Sequence, residues 1–276
     1  MYNKLVLSGG AKRGVITLGS LEYLYEKQNY MENINTFIGA SVGAIICYLL
    51  IIGYKPMKLI SYLITNDFFN KFKTIDIVKL SNCNGSYNWN IVGKYIKDMT
   101  LNVSNKLFTM KELYDTYNKE LICITYNYTK QKEEVISYKT HPDLPCIDAL
   151  QMSSSIPLYF PRFKYNDDYY IDGAFVNNFP VNLLEEEDKA IAINCTKMYV
   201  NDKEDMMITN YIFNLTSLIV INNVNTSIQN CKCKNVLLLN FDSKDISTHD
   251  MYLNNIQIFE KFSLGYKYTI ESLSEK

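Results

Sequence analysis

The feature that most constrains the fold is an uncharged run of eighteen residues, FIGASVGAIICYLLIIGY, at positions 37–54. A membrane span needs about 20 consecutive apolar residues, whereas this run is shorter and contains three glycines and Ser41. Residues 36–38 are β-branched or aromatic, as in a short buried strand, and the residues after Gly43 have the pattern of an apolar helix that ends near Gly53. The run therefore predicts a strand, a glycine-flanked turn and a buried helix.

The composition and charge exclude several classes of protein. With 47% hydrophobic and 21% charged residues, the 276-residue chain has the composition of a globular protein. Its formal net charge is -1 and its basic residues are scattered, so we expect no nucleic-acid partner. The seven cysteines and two histidines offer no zinc-ligand spacing, so we predict no metal site.

The cysteines and the N-terminus also bear on the cellular compartment. The number of cysteines is odd, and the N-terminal MYNKLVLSGG has too short an apolar run for a signal peptide and lacks a small-residue cleavage site. We therefore expect reduced thiols and a cytoplasmic protein, with peripheral contact to membranes as a further option.

Strand-like segments alternate with helix-like segments along the chain, and the segment from Met251 has the pattern of an amphipathic helix. Because parallel neighbours need a crossover connection, the alternation predicts parallel strands with helices on both faces of the sheet. We predict a single α/β domain over residues 1–276, a three-layer sandwich with a mostly parallel central sheet. Residues 66–105 have a weaker pattern and are predicted to form an inserted or covering element. Strands or hairpins are predicted at 4–7, 36–38, 121–128, 133–139, 162–173, 190–196 and 235–241.

Residues 39–43, GASVG, match the G-x-S-x-G pattern of a nucleophile elbow. In such an elbow, Gly39 and Gly43 let a strand turn sharply into a helix and hold the Ser41 hydroxyl at the helix N-terminus. The pattern alone leaves a second interpretation, in which Ser41 only caps a helix that packs among small residues. Its position, where a predicted strand ends and an apolar helix begins, favours a nucleophile.

A glycine-rich loop, SGGAKRG at residues 8–14, joins the first predicted strand to the first predicted helix. Backbone amides in such a loop can converge on an anion. The loop matches neither the dinucleotide-binding pattern, since Ala11 stands at the middle glycine, nor the P-loop pattern, which requires Lys followed by Ser or Thr. Beside a nucleophile, the same amides would serve as an oxyanion hole for acyl transfer.

The third motif is YYIDGAFVNNFP at residues 169–180, in which Asp172 ends an apolar strand. Gly173 and Ala174 follow Asp172, and such small residues allow close approach of the backbone. An ordinary Asp-Gly turn is the alternative interpretation, and this motif alone does not exclude it.

Together, these motifs resemble those of the patatin-like acyl hydrolases, the patatin-like phospholipase family. Its members are similar in the order and spacing of a glycine-rich loop that ends in a basic residue and glycine, then G-x-S-x-G, then Asp-Gly-Ala or Asp-Gly-Gly. The segment ALQMSSSIPLYFP at residues 149–161 also resembles the family's small-residue helix before a Pro-aromatic-Pro strand. The core motifs lie within residues 4–180, and Ala11 departs from the family's commoner glycine.

The resemblance implies a serine lipid acyl hydrolase that cleaves carboxylic esters of phospholipids or lysophospholipids through an acyl-enzyme intermediate on Ser41. It implies that Asp172 is the base, which makes a catalytic dyad without histidine and without a cofactor. An ordinary carboxylate is a weak base for a serine hydroxyl, so Asp172 must lie within hydrogen-bond reach and be partly desolvated. The implied oxyanion-hole amides are those of Gly9, Gly10, Ala11 and Arg13.

Two other functions remain open from the sequence. An α/β-hydrolase triad of Ser41, Asp172 and His249 has the right chain order, but in that fold several strands precede the elbow, and here one strand and one helix fit before it. His249 stands in a polar run and His141 in THPDLP, where loop or turn positions are expected. A non-catalytic lipid-binding or interaction protein with the same fold is the other alternative.

The segment NDFFNKFKTIDI at residues 66–77 interleaves aromatic side chains with Lys71 and Lys73. Such a pattern can lie at a lipid interface, and the segment is therefore a candidate for peripheral membrane contact. It can also be a half-buried helix with solvated lysines, which is the interpretation that we prefer.

Overall fold

A computed structural model describes residues 1–27, 30–73, 85–197, 208–242 and 251–274. Within these ranges the chain forms eight strands and nine α-helices. The strands are β1 (Lys4–Leu7), β2 (Thr36–Ala40), β3 (Glu120–Asn127), β4 (Lys132–Ile136), β5 (Phe163–Tyr165), β6 (Asp168–Asp172), β7 (Lys189–Lys197) and β8 (Asn235–Asp242). The helices are α1 (Gly14–Glu26), α2 (Val42–Ile51), α3 (Pro56–Thr65), α4 (Asn90–Val103), α5 (Met110–Tyr117), α6 (Cys146–Ser154), α7 (Ala174–Asn177), α8 (Ile208–Gln229) and α9 (Asn255–Ser274). Short 3-10 helices lie at Ala11–Arg13, Phe68–Phe72 and Val181–Leu183.

The eight strands belong to one sheet, in the order β5-β6-β3-β2-β1-β7-β8, with β4 paired to β3. The central strands are parallel, since β1 pairs in parallel with β2 and β7, β2 with β3, and β7 with β8. Antiparallel pairing is confined to one side, where β3 pairs with β4 and β6, and β6 pairs with β5. The predicted α/β sheet, mostly parallel and covered by helices on both faces, is confirmed. The assignment of the whole chain to one domain stays a prediction.

The central strands are largely apolar because both faces of the sheet are buried. Leu5 and Leu7 of β1 join the core on one face, and Val6 between them joins the core on the other face. In β7, Ile191 and Ala192 divide between the two faces in the same way. Such strands have no polar side, which is the pattern of a parallel sheet covered by helices on both faces.

The uncharged run at 37–54 has the structure that the sequence predicts. It contains most of β2 and all of α2, and nearly every residue of both elements is buried. No single helix in the described ranges has the length and hydropathy to cross a membrane. The helices α2 and α3 reach that length only as a pair, which is bent by 114°.

The predicted covering element is described except for residues 74–84, and its described parts are the 3-10 helix at Phe68–Phe72 and the helix α4. The side chains of Phe69 and Phe72 are buried, so these two rings belong to the core. The Trp89 indole nitrogen donates a hydrogen bond to Ser154 Oγ at 2.9 Å. This bond connects the start of α4 to the end of α6.

The last helix, α9, begins later than the sequence predicts. The apolar pattern predicts a helix from Met251, but α9 begins at Asn255. Asn254 Oδ1 accepts a hydrogen bond from the Gln257 amide at 2.9 Å, and Gln257 Oε1 accepts one from the Asn254 amide at 3.0 Å. This reciprocal capping satisfies two amides that have no partner within the helix and so sets its start.

Helix α9 packs against α1 at a crossing where both helices carry glycine. A Cβ on Gly265 would lie 2.0 Å from the carbonyl oxygen of Ile16, and a Cβ on Gly19 would lie 1.9 Å from that of Phe262. Glycine at both positions therefore permits the close backbone approach. The crossing fastens the C-terminal helix to the helix that follows the glycine-rich loop.

We expect Gly265→Val to lower the free energy of unfolding by about 1–3 kcal/mol, because the added side chain must push the two helices apart. Equilibrium unfolding in urea measures this change. Ser263→Val, on the exposed side of the same helix, is the matched control and should change the free energy of unfolding by about 0.5 kcal/mol or less. Equal effects of the two substitutions would contradict the packing described here.

Candidate active site

The turn after β2 holds Ser41 in a strained backbone conformation. Its φ of 54° and ψ of -128° lie in a region that non-glycine residues rarely adopt, and such strain is concentrated at functional sites. A Cβ on Gly39 would lie 2.5 Å from the Ala44 nitrogen, and a Cβ on Gly43 would lie 2.5 Å from the Leu7 carbonyl oxygen. The two glycines therefore allow the sharp turn, and the elbow geometry predicted from GASVG is present.

Ser41 and Asp172 are brought together although they are far apart in the sequence. The Ser41 hydroxyl donates a hydrogen bond to Asp172 Oδ2 at 2.6 Å. The two residues are 2% and 0% exposed, respectively. The other carboxylate oxygen, Asp172 Oδ1, accepts a hydrogen bond from the Ala174 amide at 2.7 Å. A Cβ on Gly173 would lie 2.1 Å from the Ile124 carbonyl oxygen, so glycine lets this turn pass close to β3.

Burial raises the pKa of Asp172 from its ordinary value of 3.8 to about 7. The hydrogen bonds from Ser41 and Ala174 lower this pKa, but their effect is smaller than that of burial. The carboxylate therefore has both properties that a base for serine requires, direct contact with the hydroxyl and loss of surrounding water.

Of the four amides predicted to form an oxyanion hole, the structure leaves two for that purpose. The Gly9 amide donates to the Asn178 carbonyl oxygen at 3.1 Å, and the Arg13 amide donates to the Gly10 carbonyl oxygen at 2.9 Å. The amides of Gly9 and Arg13 are therefore used within the fold, and the assignment of an oxyanion hole to this loop stays a prediction. The amides of Gly10 and Ala11 have no hydrogen-bond partner among the described residues, and both residues line the cleft in front of the elbow.

Ala11 adopts a left-handed backbone conformation, with a φ of 48°. This conformation costs a residue with a Cβ roughly 1–2 kcal/mol relative to the right-handed one, and glycine avoids the cost. The alanine at this position is therefore compatible with the loop, but it is strained.

We expect Ala11→Gly to leave the free energy of unfolding unchanged or to raise it by up to about 1 kcal/mol, because relief of strain offsets the greater chain entropy of glycine. Urea unfolding measures the difference. Ala44→Gly, within the right-handed helix α2, is the control and should lower the free energy of unfolding by about 1–2 kcal/mol, because glycine weakens the helix and a buried methyl group is lost. A loss for Ala11→Gly as large as that of the control would show that Ala11 is not strained.

Sequence reasoning missed Ser153, which holds the elbow in place. Its hydroxyl accepts a hydrogen bond from the Ser41 amide at 3.0 Å and donates one to the Ile124 carbonyl oxygen at 2.6 Å. Because Ser153 is fully buried, it joins the Ser41 turn to β3 through a bond that water does not replace. The run of three serines at 153–155 was the available signal, since serine is disfavoured within helices unless its hydroxyl has a partner.

Asn178 is a second residue that the motifs did not single out. Its carbonyl oxygen accepts the Gly9 amide proton, and its Nδ2 donates to Thr196 Oγ1 at 3.0 Å. The asparagine is fully buried, and a Cβ on Gly9 would lie 2.3 Å from its Oδ1. Gly9 is therefore needed for the contact between the glycine-rich loop and the segment that follows Asp172.

Two cavities meet at the elbow. One is a cleft of about 750 Å³, counted with its open mouth, and its lining includes the cationic residues Lys12 and Arg13. The other, of about 920 Å³ counted in the same way, is lined mainly by apolar side chains of α1, α2, α3 and the covering element. The residues that line both cavities are Ala11, Ser41, Ile156 and Met251.

The described residues include one of the two histidines. His141 Nδ1 lies 3.0 Å from Thr140 Oγ1, and His141 lines neither cavity. His249, the third member of the alternative triad, lies outside the described residues. In the part of the chain that the structure describes, no three His, Cys, Asp or Glu side chains converge on a position for a metal ion.

These motifs are shared with a known protein family. The family model for patatin-like phospholipases matches residues 5–184. "Probable lipid hydrolase 463L" of Invertebrate iridescent virus 6 is 40% identical over 188 residues, which cover 66% of this chain and 63% of that protein. The match thus spans less than two thirds of the length of this viral relative. The family match contains all three motifs, whereas β7, α8, β8 and α9 lie beyond it.

Two solved structures share the fold at low sequence identity. VipD from Legionella pneumophila aligns with a TM-score of 0.53 and 16% identity, over 99% of this chain and 67% of its own. ExoU from the type III secretion system of Pseudomonas aeruginosa, solved in complex with SpcU, aligns with a TM-score of 0.50 and 14% identity, over 99% of this chain and 52% of its own. At these identities the similarity concerns the fold alone.

Proposed function

Because this chain belongs to the patatin-like phospholipase family, we propose that it is a serine lipid acyl hydrolase that cleaves carboxylic ester bonds of phospholipids or lysophospholipids. The observation that carries the proposal is the buried hydrogen bond of 2.6 Å from Ser41 to Asp172. A serine hydroxyl on a strained turn, held against a desolvated carboxylate, is the arrangement of an activated nucleophile. The similarity to a viral protein named as a probable lipid hydrolase supports a lipid substrate.

In the acylation half-reaction, Ser41 Oγ attacks the ester carbonyl carbon while its proton passes to Asp172 Oδ2. The former carbonyl oxygen becomes negative and accepts hydrogen bonds from the amides of Gly10 and Ala11. The intermediate collapses to acyl-Ser41, and the leaving alcohol oxygen takes the proton from Asp172. Helix α2 begins directly after Ser41, so its dipole favours the negative charge that develops there.

In the deacylation half-reaction, a water molecule takes the place of the alcohol beside Asp172. The carboxylate accepts a proton from this water as the water oxygen attacks the acyl carbon. The second intermediate uses the same two amides, and the Ser41 oxygen leaves with the proton returned by Asp172. One carboxyl group thus serves as base and then as acid in each half-reaction, which is most efficient when its pKa is near the working pH.

The two cavities support an ester with one long apolar part. The apolar cavity reaches Ser41, and no charged side chain of the described residues lines it. Burial of an acyl chain contributes about 0.8 kcal/mol for each CH₂ group removed from water, so this cavity is the proposed acyl site. The cleft that contains Lys12 and Arg13 receives the alcohol half of the ester.

The substitution Asp172→Asn tests the assignment of the base. Asparagine keeps the shape of the side chain and can still accept the Ala174 amide proton, but its Nδ2 cannot accept the proton of Ser41. We expect kcat/KM for a soluble short-chain ester to fall by roughly 10²-fold or more. Steady-state hydrolysis of p-nitrophenyl butyrate measures this fall.

His141→Ala is the control and should leave kcat/KM nearly unchanged, since this histidine lines neither cavity.

The fold of Asp172→Asn is checked by its Tm at pH 8. Because the folded-state pKa of Asp172 is raised from 3.8 to about 7, its ionisation removes stability as the pH rises through that interval, and the variant avoids this loss. Its Tm at pH 8 should therefore equal or exceed that of the parent. A fully active Asp172→Asn, or a parent that binds lipid without turnover, would refute the proposed mechanism.

The raised pKa of Asp172 also predicts the pH dependence of activity. The carboxyl group must be ionised to accept the Ser41 proton, so kcat/KM should rise with pH below the pKa of about 7 and level off above it. Initial rates at constant ionic strength measure this profile, and the Tm at each pH verifies that the protein stays folded. A flat profile through neutrality, or a rate that falls as the pH rises through 7, would contradict a carboxylate base.

A further inference from the structure

The part of the chain that covers the apolar cavity, residues 54–73 and 85–107, carries an excess of positive charge, and we call it the covering layer. It contains seven lysines and two acidic residues, whereas the whole chain has a formal net charge of -1. Positive charge is therefore concentrated on one part of an otherwise acidic protein. The lysines are Lys55, Lys58, Lys71, Lys73, Lys94, Lys97 and Lys106, and the acidic residues are Asp67 and Asp98.

The lysines of the covering layer are exposed. Lys94 pairs with Asp98 at 2.6 Å, and Lys106 pairs with Glu112 at 2.9 Å. The other five lysines form no ion pair with any described carboxylate. Most of the positive charge of the covering layer is therefore not paired by carboxylates of the described residues.

Two of these lysines, Lys58 and Lys71, lie against aromatic side chains that line the apolar cavity or contact its wall. Lys71 Nζ lies 5.9 Å from the centroid of the Tyr95 ring, and Tyr95 lines the cavity. Lys58 Nζ lies 5.7 Å from the centroid of the Tyr54 ring. The hydroxyl of that tyrosine donates to the carbonyl oxygen of Met99, which also lines the cavity. At Lys58 and Lys71, one or two side chains therefore separate the positive surface from the proposed acyl site.

The covering layer also exposes large apolar side chains beside its lysines. Met57 stands between Lys55 and Lys58, and Leu101, Val103 and Leu107 are exposed at and after the end of α4. Exposed apolar side chains interleaved with lysines are typical of surfaces that lie at the interface of an anionic membrane. The layer contains no arginine, the residue that most often makes specific contacts with bases in nucleic-acid complexes.

We propose that the covering layer docks on membranes that contain anionic phospholipids. Its lysines contact the lipid headgroups, and its exposed apolar side chains enter the headgroup region. The role of this docking rests on the proposed function: docking would hold the acyl cavity close to a membrane that supplies the lipid substrate. The charge complementarity that drives docking is a property of the surface and does not require catalysis.

The test compares binding of the full chain to sucrose-loaded vesicles of phosphatidylcholine alone and of phosphatidylcholine with about 30% phosphatidylserine, a proportion within the anionic range in which lysines contribute to binding. We expect clear preference for the anionic vesicles and loss of binding at high salt. The double variant Lys58→Gln and Lys71→Gln should bind the anionic vesicles about 25-fold more weakly, about fivefold for each lysine. Its hydrolysis of p-nitrophenyl butyrate should equal that of the parent.

The matched control is the double variant Lys232→Gln and Lys267→Gln, which removes two exposed lysines outside the covering layer. It should bind anionic vesicles as the parent does. Equal binding to both kinds of vesicle, equal weakening by the two double variants, or a preference for single-stranded RNA over anionic vesicles in competition would overturn the proposal. Binding of anionic vesicles by a protein that hydrolyses no ester would support docking and refute the proposed function alone.

Discussion

The hydrogen bond between Ser41 and Asp172 depends on the register of three neighbouring strands. In the parallel pair, Ala40 of β2 lies beside Ile124 of β3. In the antiparallel pair, Asp172 of β6 lies beside Thr125, the next residue of β3. The strand β3 therefore places the turn after β2 and the end of β6 next to each other. A slip of one residue in either pair would turn the side chains to the opposite face and separate the hydroxyl from the carboxylate.

Burial gives Asp172 its proposed chemistry and also makes it costly to the fold. Loss of water raises its pKa towards neutrality, so the ionised form that catalysis needs is the form that the folded state disfavours. Ser41 and Ala11 add backbone strain at the same place. The stability of the sheet, whose central strands are buried on both faces, offsets these local costs. Backbone strain and a buried carboxyl group at the same place are expected of a functional site.

The motifs could be interpreted from the sequence because local steric constraints require their glycines. A side chain at Gly39, Gly43 or Gly173 would overlap a backbone atom. Only glycine fits these positions, so the constraint is visible in the sequence. The partner of the Gly9 amide was not predictable, since Asn178 reaches it from a distant segment. The apolar cavity depends on how residues of α1, α2, α3 and α4 come together around it, which no local pattern encodes. The start of α9 depends on a capping pair that lies within a longer apolar pattern.

Covalent trapping tests most directly the central claim that Asp172 activates Ser41 as a nucleophile. The intact protein is treated with a fluorophosphonate, and the adduct is located by mass spectrometry of peptides. The account predicts one adduct, on Ser41, which is absent from Ser41→Ala and forms more slowly in Asp172→Asn. An adduct on another residue, or labelling of Ser41→Ala equal to that of the parent, would contradict it.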